Sequence, residues 1–100
     1  MDRLSFIQSI NGIYPEMLVD FFDHFIVLKQ LVNDKDCTVN VLASHKDSIE
    51  FDVIFSSPDK MQTVLHEVNR SGSVVMIYNR TMTVHIEVLT DKEITIKLYW

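Results

Sequence analysis

Two pairs of residues carry the chemistry most worth testing in this chain. Glu50 and Asp52 stand two apart, as do His85 and Glu87, each pair within a run of alternating apolar and polar residues. Alternation with period two sends each set to its own face of a strand, so the members of a pair share a face. Carboxylates joined by an imidazole can ligate a divalent cation or divide acid and base work between them. The same pattern is what any solvated sheet face carries, where Glu, Asp, His, Thr and Lys meet water. The four become one site only if their strands lie close, with the polar sides together.

Other sets are weaker. Asp20, Asp23 and His24 have the spacings of three and four that meet on a helix surface, where a solvated face is the plainer reading. Cys37 is the only cysteine, which excludes an internal disulfide and a CxxC pair. With His45 or His66 it would form a thiolate pair only through geometry, and a lone cysteine opening a strand reads as a small buried hydrophobe. His66-Glu67 lacks the second histidine of a zinc helix. No P-loop, serine elbow or dinucleotide fingerprint occurs. The motifs therefore assign no catalytic residue, metal or cofactor, and an enzyme is not the expected class.

The elements that position these residues follow from periodicity. Residues 2–11 predict a short helix with Leu4, Phe6, Ile7 and Ile10 as its apolar residues, ended by Gly12. Pro15 and Glu16 open a second helix running to about Val32. Its stripe is Leu18, Phe21, Phe25, Leu28 and Val32, flanked by Met17, Phe22 and Ile26. Val19 and Val27 widen that arc beyond the ~100° that one core contact requires. Asn33 to Asp36 is a polar stop. Strands over 37–43 and 48–55 follow, joined at Ser44 to Asp47, the second with Ile49, Phe51, Val53 and Phe55 on one face.

Ser57, Pro58 and Asp59 start a third helix with Met61, Val64, Leu65 and Val68 as its buried stripe, ended by Ser71-Gly72. Three β-rich runs fill the rest. Val74 to Ile77 is apolar on both faces, which predicts a central or doubly covered strand. Met82, Val84, Ile86 and Val88 alternate in the next run, and Ile94, Ile96 and Leu98 in the last. The order α-α-β-β-α-β-β-β, with hairpin connections and one-faced strands, predicts an α+β two-layer sandwich: an antiparallel sheet of about five strands with helices on one face.

One hundred residues make one domain. An apolar content of 47% with 23% charged residues suits a packed globule and argues against disorder. The formal charge of −5, spread along the chain, repels a phosphate backbone, so nucleic acid is not an expected partner. The opening Met-Asp-Arg-Leu-Ser-Phe lacks the apolar core of a secretory signal and no apolar run nears the ~20 residues of a membrane helix, so the expected location is cytoplasmic, without a membrane.

The expected function is a small acidic protein-interaction module that binds a macromolecular partner or forms a homodimer. Inhibitors, immunity-type proteins and adaptors share this size and charge, an analogy rather than a resemblance. Its candidate interface residues are Val19 and Val27, which widen the helical arc, and the aromatics Tyr78, Tyr99 and Trp100. A last strand at the sheet edge would add unpaired N–H and C=O groups for another chain. The alternative is a small-ligand or metal-binding protein, or an enzyme, using Glu50, Asp52, His85 and Glu87.

Overall fold

The computed structural model describes residues 16–77 and 80–100. In chain order these form α1 (Glu16–His24), α2 (Ile26–Asn33), β1 (Cys37–Ser44), β2 (Ser48–Phe55), α3 (Pro58–Ser71), β3 (Val74–Ile77), β4 (Arg80–Val88) and β5 (Glu93–Tyr99). The strands make one sheet in the order β1-β2-β5-β4-β3, with every neighbouring pair antiparallel. The helix expected over residues 2–11 lies outside the described residues.

Period-two alternation decides which side of the sheet meets the helices. Ile49, Phe51 and Val53 of β2, Met82 of β4 and Ile94, Ile96 and Leu98 of β5 are fully buried, and all point to one face. Leu18, Phe21, Phe22, Leu28, Met61 and Val64 close over them from α1, α2 and α3. The phenylalanines interlock across the layers, with Phe21 at 4.8 Å from Phe25 and Phe22 at 5.7 Å from Phe51 between ring centroids. This is the expected two-layer α+β sandwich.

The expected helix over 15–32 is broken. Phe25 has φ −102° and ψ 99°, extended values that end α1 and start α2. Glu67 of α3 supplies the reason: its carboxylate accepts the Val27 N–H at 3.0 Å and the Leu28 N–H at 3.3 Å. In an unbroken helix those two donors would bond the carbonyls four residues back. A side chain inserted into that ladder is a recognised cause of a kink. The neighbouring His24, Phe25, Ile26 and Val27 are aromatic or β-branched and defend the helix weakly. As a result Ile26, expected on the flank of the buried stripe, is 72% exposed.

β3 also departs from expectation. Its double-sided apolarity suggested a covered strand, yet it is a sheet edge with Val74 54% and Met76 67% exposed, while Val75 and Ile77 are buried. β5, the last strand, is the central one, so it offers no free edge to another chain.

The turn after α2 is a Schellman motif: Asp36 N–H donates to the Leu31 carbonyl at 2.8 Å and Lys35 N–H to that of Val32 at 3.2 Å. Lys35 sits at the position that favours glycine, with φ +61°. α3 follows its sequence signals, with the Ser57 hydroxyl accepting the Lys60 N–H at 3.4 Å, Pro58 in the first turn and Gly72 after the end at φ +80°. Asp36 and the Lys60 ammonium, 2.8 Å apart, tie the two turns together.

Two stability predictions follow from these termini. Glu67→Ala removes a charged acceptor from two helical donors and should cost about 1–3 kcal/mol in urea unfolding, with Glu67→Gln falling between it and the wild type. Lys35→Gly relieves the left-handed backbone and should stabilise by about 0.5–1 kcal/mol. A loss of stability on Lys35→Gly would contradict the turn as described.

Candidate functional site

The face of the sheet turned away from the core is ordered in rows by the strand registers. Ser48, Tyr99, Thr83 and Val74 form one row, and Glu50, Lys97 and His85 the next. Asn40, Asp52, Thr95 and Glu87 form a third row, with Thr38, Ile54 and Glu93 beyond it. Glu50, Asp52, His85 and Glu87 therefore do share one face. β5 lies between the two pairs, which puts β2 and β4 about 10 Å apart, two strand spacings.

Lys97 occupies the gap between Glu50 and His85, and Thr95 that between Asp52 and Glu87. The Thr95 hydroxyl donates to Asp52 Oδ1 at 2.6 Å, and Lys97 Nζ lies 5.7 Å from the centre of the Tyr99 ring. A divalent ion bridging Glu50 and His85 would sit over the Lys97 ammonium. Among the described residues no three His, Cys, Asp or Glu side chains converge in a metal-holding group. What the rows build is a flat field with one lysine, Lys97, beside Glu50, with Asp52 and Glu87 diagonal to it in the next row and Glu93 one row further. At one end of it stand Tyr99, 42% exposed, and, across Thr83 of β4, the exposed Val74 and Met76 of β3.

The candidate interface residues divide. Tyr99 stands on this open face. Trp100 is half-buried against the core, and its N–H donates to the Asp47 carbonyl at 3.0 Å, so it anchors the strand end to the β1–β2 turn. Val27 is likewise half-buried against the core. The Val19 side chain and Tyr78 lie outside the described set.

Sequence reasoning missed Met76 and Val74, whose apolar alternation resembled a covered strand, and Glu67, whose partners are backbone groups forty residues away. Beside the helix break, His24, Ile26, His66 and Arg70 border a groove of about 400 Å³. Its α2 N–H groups are already bonded to Glu67.

Cys37 opens the eight-residue β1 and His45 lies just beyond its other end, roughly 25 Å away at the rise of an extended strand. Cys37 is buried, and burial, with a smaller contribution from the Asp36 charge, pushes its thiol up to about 12. Such a thiol is not a nucleophile at neutral pH.

No family model, curated protein or solved structure matches this chain. No described helix is long and apolar enough to cross a membrane.

The raised thiol fixes a sign for alkaline stability. A group whose folded value lies at about 12 against 9.0 unfolded stabilises fully below pH 9 and loses that contribution as the pH climbs toward 12. The wild type should lose stability over this window more steeply than Cys37→Ala, by up to about 1.4 kcal/mol per pH unit. Equal slopes in pH-resolved urea unfolding would contradict the buried thiol.

Proposed function

We propose that this chain is a protein-interaction module whose open sheet face docks on a basic protein surface. The observation that supports the reading is that face itself. It carries no described helix, yet it exposes Tyr99 on β5 and Val74 and Met76 on β3 at one end of a face whose following rows carry Glu50, then Asp52 and Glu87, then Glu93. A solvated sheet face has no use for a two-thirds exposed methionine and an exposed tyrosine on the same side. Tyrosine and methionine are enriched at the centres of protein interfaces. The carboxylates supply complementarity to lysine and arginine, which speeds encounter and selects partners more than it adds affinity. Blocking a basic surface, as inhibitors and immunity-type proteins do, fits that chemistry, and so does an adaptor that bridges to one.

The test compares tagged wild type with a Val74→Ser/Met76→Ser/Tyr99→Ala variant in capture from the host lysate. The reading expects one stoichiometric partner, released by salt, that the variant retains at least tenfold less well while its melting temperature stays close to wild type. Equal capture by both proteins removes this face from the interface. Concentration-dependent sedimentation with nothing captured would replace the partner with a second copy of the chain.

A further inference from the structure

β4 is nine residues long and β3 only four. Their pairing covers Arg80 to Thr83, extended by the Val84 N–H donating to the Ser73 carbonyl at 2.7 Å. Beyond Val84, no described strand flanks β4 on that side. Backbone direction alternates along a strand, so Ile86 and Val88 turn their N–H and C=O groups the way Val84 does, toward the side with no described strand. Leu89 confirms the phase, since its N–H donates the opposite way, to Glu93 of the β4–β5 turn, at 2.9 Å. Next to this edge lies a groove of about 270 Å³ bordered by Val68, Gly72, Ser73, Val84 and Ile86. Val88 is 55% and Leu89 47% exposed at its far end.

We propose that the His85–Val88 edge of β4 accepts an extended segment of a partner protein, in line with β3, as an added strand carrying a basic residue between two apolar ones. The register assigns that pattern. Residues opposite Ile86 and Val88 exchange backbone hydrogen bonds and point to the core side, toward Val68, Val84 and the groove. The residue between them stands opposite Glu87 on the open face, where a lysine or arginine is favoured and a carboxylate repelled.

A second copy of this chain fits poorly. With matching faces, a two-fold pairing of Ile86 with Val88 sets Glu87 against its own mate. Pairing Ile86 with Ile86 drives Val88 onto Val84, whose N–H is already taken by Ser73. A one-residue offset would need the backbone groups of His85 and Glu87, which face β5. The β1 edge differs, being interrupted by a bulge at Leu42 between Val41 and Ala43, a feature that blunts edge pairing.

This inference shares the interaction reading but uses a different surface, and backbone exchange separates the two, because replacements at Val74, Met76 and Tyr99 leave the β4 edge unchanged. The probes are blocked pentapeptides Val-Lys-Val-Lys-Val and Val-Glu-Val-Glu-Val, added to the full chain while amide exchange is followed residue by residue. At saturating lysine peptide the Ile86 and Val88 amides should slow at least tenfold, and the glutamate peptide should bind about tenfold more weakly. Glu87→Lys, an exposed position, should reverse that preference. Val88→Pro, which removes only an outward N–H, should abolish the protection. The proposal is overturned if neither peptide slows these amides, if protection appears on β1 instead, or if raising the protein concentration alone protects them.

Discussion

The structure hangs on the register of β5. This strand sits between β2 and β4, paired with Ser48–Ile54 on one side and Thr83–Val88 on the other. Its Ile94, Ile96 and Leu98 are fully buried, and each contributes about 1.5–3 kcal/mol by leaving water. A slip of one residue would send all three to the open face and bring Thr95 and Lys97 into the core. No neighbouring register places apolar residues inward on three strands at once. The same constraint aligns the outer rows, so the arrangement of Glu50, Lys97 and His85 is a by-product of how the core is filled.

The helical layer is fitted to this sheet by a second, smaller constraint. Because Glu67 takes the Val27 and Leu28 donors, the helical segment can break at Phe25 without stranding backbone groups away from water. Each half then keeps its own apolar residues inward, Leu18, Phe21 and Phe22 from α1 and Leu28 and Val32 from α2, with the Phe25 ring filling the break. Ile26 turns outward as the consequence of that rearrangement.

Local patterns made much of this legible. Alternation placed β2, β4 and β5 and named the buried residues of β2 and β5, though in β4 it held only for Met82 and Val84, with Ile86 half-buried and Val88 exposed; the Ser57-Pro58-Asp59 and Gly72 signals bounded α3. What failed were features decided by partners distant in sequence. The break at Phe25 depends on a carboxylate forty residues away. The double-sided apolarity of β3 is the same for a covered strand as for an edge whose outer residues, Val74 and Met76, stay exposed. Strand order, which puts β5 at the centre and separates Glu50 and Asp52 from His85 and Glu87, is a long-range property that no window of sequence contains. The members of each pair share a face because that depends on parity alone, whereas the meeting of both pairs on one face, and their spacing, depend on topology.

The account as a whole rests on the sheet having one sealed side and one open side. Hydroxyl-radical labelling of the free protein, read by mass spectrometry at Met61, Met76 and Met82, tests this directly. Met76 is 67% exposed, whereas Met61 and Met82 are 1% and 0% exposed. Met76 should oxidise readily while the other two react only on unfolding. Oxidation of Met82 in the folded protein at a rate comparable to Met76 would mean that the register, and with it the assignment of the open face, is wrong.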